Sequence, residues 1–234
     1  MDATCVLDRT EVEAVLTALH KKRSMMGRQN LAIFRLSCAC GLRVSEIAAL
    51  NLGDVLLEGD LPAIKLRRMT VKGKKRGRLV PLWWDKGTVA DLRMYDAFIR
   101  QYLGQWDQPM PPTMPFIFRL GRSFGGRPPF HRLSIRTIQR RWRTAIRVLG
   151  PARLKQLSIH KGRHSFLSHA LLQGRNLLEV RDAAGHSNIT TTNIYLHYTP
   201  IAERRAIPDL FDFSRPPEAK PPGPVAPDGS GPPG

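Results

Sequence analysis

"CGLRVSEIAALNLGDV", residues 40–55, is the stretch on which the fold turns. A glycine closes one apolar helical run, and an arginine, a serine and a glutamate open the next. Upstream, "RQNLAIFRLSCAC" (28–40) reads as a helix that stops at Gly41, where a left-handed backbone costs little. "RVSEIAALNL" (43–52) then reads as a third, short helix with Ser45 near its start. Arg43 and Glu46 are three apart, so both sit at the beginning of that helix, close to each other and to the incoming loop. Beyond it the pattern changes from helical to strand-like. "LPAIKLRRMTV" (61–71) and "RLVPLW" (78–83), joined by "KGKKRG" (72–77), read as a hairpin or small sheet with glycines at the turn.

Outside this region the chain is helical. "RTEVEAVLTALHKK" (9–22) offers a capping box, Thr10 with Glu13, ahead of Val12, Val15, Leu16 and Leu19 at helical spacing. "TVADLRMYDAFIRQYL" (88–103) reads as a long helix, and the Pro- and Gly-rich 109–129 as a loop or mobile connector. "SIRTIQRRWRTAIRVLG" (134–150) has Ser134 as cap and Gly150 as stop. Its apolar face carries Ile135, Ile138, Trp142, Ile146 and Leu149, while Arg136, Arg140, Arg143 and Arg147 share another face that suits phosphates. "LSIHKGRHSFLSHALLQG" (157–174), capped by Ser158, and "NLLEVRDAAG" (176–185) complete the helical series. The fold class is therefore mainly α with a small antiparallel β-sheet, in one unit spanning 8–213. Residues 214–234 hold eight prolines in 21 positions and little to bury, so they read as a disordered tail.

The charge points to a partner. The chain of 234 residues carries a formal net charge of +18. From 108 to 178 there are 71 residues with 14 Arg or Lys and no acid, and 65–78 add eight basic residues with none. Solvated faces normally mix signs, so a one-signed surface of this extent predicts a polyanion, with nucleic acid the leading candidate. With 42% hydrophobic and 24% charged residues and a mean hydropathy of -0.27, the chain can bury a core yet reads as soluble. No apolar run approaches the ~18–20 residues that span a bilayer. The acidic opening "MDATCVLDRTE" lacks the features of a secretory peptide, so the expected location is the cytoplasm, at the nucleoid. Cys5, Cys38 and Cys40 fit no zinc or CxxC pattern, and Cys38 and Cys40, in an apolar stretch, read as small buried hydrophobes in a reducing environment.

His160 and Arg163 share a helix face in the first turn after Ser158, where free backbone N–H groups already favour an anion. HxxR is weak by itself. Its force comes from company: "CGLRVSEIAALNLGDV", "VKGKKRGRLVPL", "LSIHKGRHSFLSHALL" and "AAGHSNITTTNIYLHY" occur in this order, and together they resemble the catalytic domain of the tyrosine recombinases, the phage-integrase family. The resemblance runs from the first helix to about Phe213. It implies the tyrosine recombinase catalytic-domain fold and a site-specific DNA recombinase that cuts and rejoins strands through a covalent 3'-phosphotyrosine. Residue by residue it implies Arg43 and Arg163 as phosphate clamps, Glu46 as supporting acid, Lys72 as proton donor to the leaving 5'-oxygen, His160 as base or relay, His186 as a further phosphate donor, and Tyr195 as nucleophile. It implies double-stranded DNA as partner, a tetramer of protomers on two DNA sites, and neither metal nor cofactor.

The residue types fit the chemistry. Charge builds on the non-bridging oxygens in the transition state, and one well-placed donor there is worth ~3–4 kcal/mol. A phenol starts near pKa ~10 and needs a base or a strongly positive field. Lys72 competes with Lys74 and Lys75, because "KGKKRGRLVP" is one residue longer than the commoner "KGxKxRxVP"; Lys74 and Lys75 are otherwise assigned to DNA backbone contact. Gly162 stands where the family usually has a large residue, and "DAAGHSN" replaces the bulkier "LLGHSS" type. Most members also precede this domain with a separate helical one. Here the arginine motif begins about 40 residues in, so the expectation is a catalytic-domain-only recombinase or one whose N-terminal part lies elsewhere. In the family a C-terminal element often docks on a neighbouring protomer, and "AERRAIPDLFDF" (202–213) is expected to do so, the competing reading being that its aromatics fold back on their own domain. Two other functions remain open: DNA relaxation of the type IB topoisomerase kind, and DNA binding without catalysis.

Overall fold

The computed structural model describes residues 6–67, 77–104, 110–120, 131–185 and 210–211. Helix α1 (Arg9–His20) is capped by Asp8, whose side chain accepts the Glu11 N–H while Glu11 reaches back to the Asp8 N–H. The capping box is thus Asp8–Glu11, not Thr10–Glu13. Two such pairs lie two residues apart, and buried Leu7 and Val12 flanking the Asp8 cap decide between them, in the arrangement of a hydrophobic staple. Ser24 caps α2 (Met25–Cys38), which starts three residues earlier than its apolar pattern suggests and ends before Gly41, a glycine at φ +62°. From Leu31 to Cys38 every residue of α2 is buried. A helix buried on all sides belongs at the centre, and α2, whose buried Arg35 is held by Asp85 and Asp91, packs against α1, α4, α5 and α7.

Helix α3 (Val44–Ala49) follows, with Arg43 at its N-cap. A short 3-10 turn (Leu52–Asp54) leads into β1 (Val55–Leu56), a strand the alternation pattern did not reveal. β1 pairs antiparallel with β2 (Ala63–Leu66), and β2 with β3 (Arg78–Pro81) in the register Ile64↔Val80 and Leu66↔Arg78. The expected hairpin is present as part of a three-stranded sheet, β1-β2-β3. Helix α4 (Lys86–Gly104) then crosses α2.

Residues 110–120 are not merely a connector. Met114, Phe116, Ile117 and Phe118 are buried, and the backbone is paired from Leu52 N–H to Met114 O (2.8 Å) and from Phe116 N–H to Leu50 O (3.0 Å). The surrounding prolines disguise an apolar quartet with all the burial of a strand.

Ser134 caps α5 (Ile135–Ala145), which tightens into a 3-10 turn (Ile146–Leu149) before Gly150 at φ +82°. Ile138, Trp142 and Ile146 are buried as expected, but Ile135 is exposed. A further short helix, α6 (Gly150–Gln156), had no sequence signal beyond Pro151 near its start. Helices α7 (Ile159–Leu172) and α8 (Leu177–Ala184) end the described series. Ser158 occupies the N-cap of α7 without a side-chain cap bond.

Gly162 explains itself in this packing. A Cβ there would stand 2.8 Å from Cys38 Sγ and 3.1 Å from Ser37 Oγ, so the small residue lets α7 lie close on α2. Beside this contact Trp142 Nε1 donates to Ser37 Oγ (2.7 Å). His169 donates from Nε2 to Leu7 O (2.9 Å) within the core. Cys38 and Cys40 are buried free thiols.

A smaller apolar cluster joins α7 and α8: Trp84 stacks on Phe166 at 6.0 Å, with Leu167, Ala170, Val180 and Leu210 around them. Leu210 and Phe211 are the two described residues of 202–213. Leu210 N–H donates to Trp84 O (2.8 Å), and Phe211 lies edge-on to His169 and under the Arg35 guanidinium, 5.7 Å from each. These two side chains pack on their own domain, and the remainder of 202–213 lies outside the described residues.

Candidate active site

The site is assembled where the start of α3, the start of β3, α7 and the C-terminus of α8 converge. Glu46 is at its centre, with no exposed surface. At the third position of α3 its Oε2 reaches back to the Arg43 N–H (2.8 Å), satisfying a donor that a helix N-terminus leaves open, while Arg43 Nη1 donates to Oε1 (3.2 Å). Arg78 completes the shell with a two-armed fork, Nη1 to Oε1 (2.8 Å) and Nη2 to Oε2 (2.9 Å). Burial pushes the Glu46 carboxyl up, but the hydrogen bonds and charge of Arg78, followed by those of Arg43, outweigh it and hold the group below the ordinary carboxylate range.

The same arginines close the end of α8. Arg78 Nε donates to Ala183 O (3.0 Å), Arg163 Nη2 to Ala184 O, and Arg43 Nη2 to Gly185 O (3.4 Å). Three consecutive carbonyls at the negative end of a helix dipole are thereby each met by a different guanidinium. Gly185 makes the turn at φ +67°, and a Cβ on it would stand 2.7 Å from Arg78 Nη1. Arg163 is buried on α7 and also donates from Nη1 to Gly41 O (2.6 Å), two residues before Arg43. Arg43 and Arg163, 120 positions apart in sequence, are thus fastened to neighbouring carbonyls of one turn.

The structure therefore brings together Arg43, Glu46 and Arg163 of the expected set. His160 is exposed one turn before Arg163, and His164 next to Arg163 is pushed below its usual range by burial and then by Lys161, Arg163 and His160. Lys72, Lys74, Lys75, His186 and Tyr195 lie outside the described residues. Arg136, Arg140 and Arg143 are exposed on α5, and Arg147 is exposed on the 3-10 turn after it. Arg78 was missed. Its signal was an arginine leading the apolar "RLVPL", a place where a charge needs a buried partner.

Two more arginines were unassigned. Arg132 donates from Nη1 to Ala48 O (3.1 Å) and Leu50 O (2.9 Å) and from Nη2 to Asn51 Oδ1, and Arg67 donates to Ala49 O (3.0 Å). Both cap the far end of α3 and line a shallow groove with Ser45, Ser134 and Ile135. Among the described residues no group of three His, Cys, Asp or Glu side chains is placed to hold a metal ion, and no helix is long and apolar enough to cross a membrane.

The wider comparisons agree with the motifs. The chain is 35% identical over 190 residues to tyrosine recombinase XerC of Chromobacterium violaceum, covering 81% of this chain and 52% of the relative. It is 31% identical over 191 residues to tyrosine recombinase XerD of Lacticaseibacillus casei, covering 82% and 57%. The chain thus spans about half the length of the curated relatives it matches. Its fold resembles the crystal structure of XerA recombinase, with a TM-score of 0.57 at 21% identity over 83% of this chain and 59% of the other. It also resembles XerH site-specific recombinase bound to its difH substrate before cleavage, with a TM-score of 0.59 at 21% identity over 83% and 51%. The mainly helical architecture with its small antiparallel sheet is the catalytic fold of those proteins. The model of the phage integrase family matches residues 5–200, more than three-quarters of the sequence, and the chain belongs to that family.

Proposed function

We propose that the protein is a site-specific DNA recombinase in which residues 8–213 form the catalytic domain. The observation that carries this reading is the convergence of Arg43 and Arg163 on one turn, with Glu46 buried behind Arg43. Two fixed guanidiniums at one point are what a phosphodiester needs where charge accumulates on its non-bridging oxygens.

In the proposed reaction the Tyr195 oxygen attacks the scissile phosphorus as His160 takes up the phenolic proton. The bond from phosphorus to the 5'-oxygen breaks, Lys72 protonates the leaving oxygen, and the DNA is left joined to tyrosine through its 3'-phosphate. A free 5'-hydroxyl from another strand reverses the step and reseals the backbone. Arg43, Arg163 and His186 hold the phosphate throughout. Lys74 and Lys75, with Arg136, Arg140, Arg143 and Arg147, serve the DNA backbone, and the working species is a tetramer on two duplexes at the nucleoid.

The test uses a pool of nicked suicide duplexes with randomised sequence, incubated with protein in EDTA and then denatured. Wild type is expected to yield a covalent protein–DNA adduct that Tyr195→Phe lacks and Tyr198→Phe retains. An adduct surviving in Tyr195→Phe refutes the chemistry. Tight DNA binding with no wild-type adduct leaves only a binding protein, and site-independent relaxation of supercoiled plasmid assigns the chain to DNA relaxation instead.

A further inference from the structure

Arg78 has none of the roles assigned so far, yet it joins two parts of the site. It opens β3, where the chain returns from the segment bearing Lys72, and is paired in register with Leu66 on the other side of that segment. Its side chain is only 10% exposed, so it offers little surface to a DNA phosphate. Its fork occupies both oxygens of Glu46, and its Nε holds Ala183 O. Glu46, held in this way, orients Arg43 through the Arg43 N–H and Nη1. The planar fork matters: a lysine supplies charge but cannot grip both carboxylate oxygens and a third acceptor in one plane. Gly185 is consistent with the same design, since any side chain there would collide with this guanidinium.

We propose that Arg78 is a positioning residue of the strand-cleavage reaction, fixing the Arg43 guanidinium through Glu46 and the C-terminus of α8 through Ala183. The proposal deepens the recombinase reading and rests on it for its consequence in catalysis. It assigns Arg78 to the placement of the phosphate clamp and to the point from which the chain runs on to His186 and Tyr195. It does not assign it to DNA affinity.

The experiment compares wild type, Arg78→Gln and Arg78→Lys, with Arg78→Lys keeping the charge that buried Glu46 needs for folding. On a nicked duplex recovered from the randomised pool, both variants are expected to bind DNA within about twofold of wild type, because no phosphate contact is lost. Their single-turnover rate of Tyr195 adduct formation is expected to fall roughly 10–100-fold, the range for a residue that orients another ligand. In a Glu46→Gln background the further loss from Arg78→Lys should shrink to less than about threefold, because the two residues act as one unit. DNA-free protein labelled with 15N-arginine supplies a second arm: the Arg43 side chain is expected to be ordered in wild type and to drop below an order parameter of roughly 0.6 in the variants. Unchanged adduct rates in folded Arg78→Lys, full additivity with Glu46→Gln, or an Arg43 side chain as ordered as in wild type overturns the proposal. A wild type that forms no Tyr195 adduct removes the recombinase reading instead, and the order of Arg43 still decides whether Arg78 positions it.

Discussion

Replacing Glu46 by glutamine puts the central arrangement to a quantitative test in the absence of DNA. The carboxylate has no exposed surface and accepts four hydrogen bonds, from the Arg43 N–H and Nη1 and from both arms of the Arg78 fork. Glutamine has nearly the same shape, but only one of its two terminal atoms accepts. Its amide nitrogen would confront one arm of the Arg78 fork together with either Arg43 Nη1 or the Arg43 N–H. Two of the four bonds are therefore lost, whichever way the amide turns, and two guanidiniums are left beside an uncharged group. Breaking a buried ion pair from one side costs roughly 3–5 kcal/mol, which for a domain of this size lowers the melting temperature by on the order of 10 °C. The sign with pH follows from the depressed carboxyl. Because the folded value lies below the ordinary 4.5, the Glu46 contribution is fully present above the unfolded value and is lost as pH falls through the folded one. Urea unfolding at pH 7, followed by the fluorescence of buried Trp84 and Trp142, should show the full gap between wild type and Glu46→Gln. Repeating the pair at steps below pH 4.5 should show the gap closing. A variant within about 1 kcal/mol of wild type at pH 7, or a gap that stays constant in acid, refutes the account of Glu46 as an ionised, arginine-held hub.

Other expectations follow from particular contacts. Gly162→Leu, which restores the side chain common in the family, should destabilise this chain by about 1–3 kcal/mol because α7 already touches Cys38 and Ser37 there; an unchanged melting temperature would show that α7 can move away. Replacing Arg136, Arg140, Arg143 and Arg147 by glutamine should flatten the salt dependence of DNA binding by roughly 0.9 in log–log slope for each phosphate contact removed, and an unaltered slope would remove that face from the interface. Cys38, its thiol pushed up to about 12 chiefly by burial, and Cys40, pushed up for the same principal reason, should resist a thiol reagent until the protein unfolds, with peptide mapping to detect modification at either position in the native state.

Much of this molecule is written locally. The helices around α2, the pairing of β2 with β3, and the glycine stops at Gly41 and Gly150 all follow from apolar period and cap chemistry, which act over a few residues. Arg43 with Glu46 is legible for the same reason, since three residues on a helix start bring two side chains together. The motifs around these residues place the chain in its family. What they leave undetermined is every choice between equivalent local signals. Asp8–Glu11 and Thr10–Glu13 are both capping pairs, and burial of Leu7 selects the first. The segment 110–120 looks like a proline-rich loop until Leu50 and Leu52 supply partners for its backbone.

The sequence by itself determined the helical architecture, the basic charge and which residues are proposed to grip a phosphate, because spacing and charge are properties of the chain. Tertiary structure alone decided that Arg163 and Arg43 meet at the end of α8, that Gly162 is small because α7 lies on α2, and that Arg78 belongs to the site rather than to the basic surface around it. These are matters of which backbone carbonyls and carboxylate oxygens are brought within about 3 Å of a guanidinium, and such partners come from parts of the chain far apart in sequence.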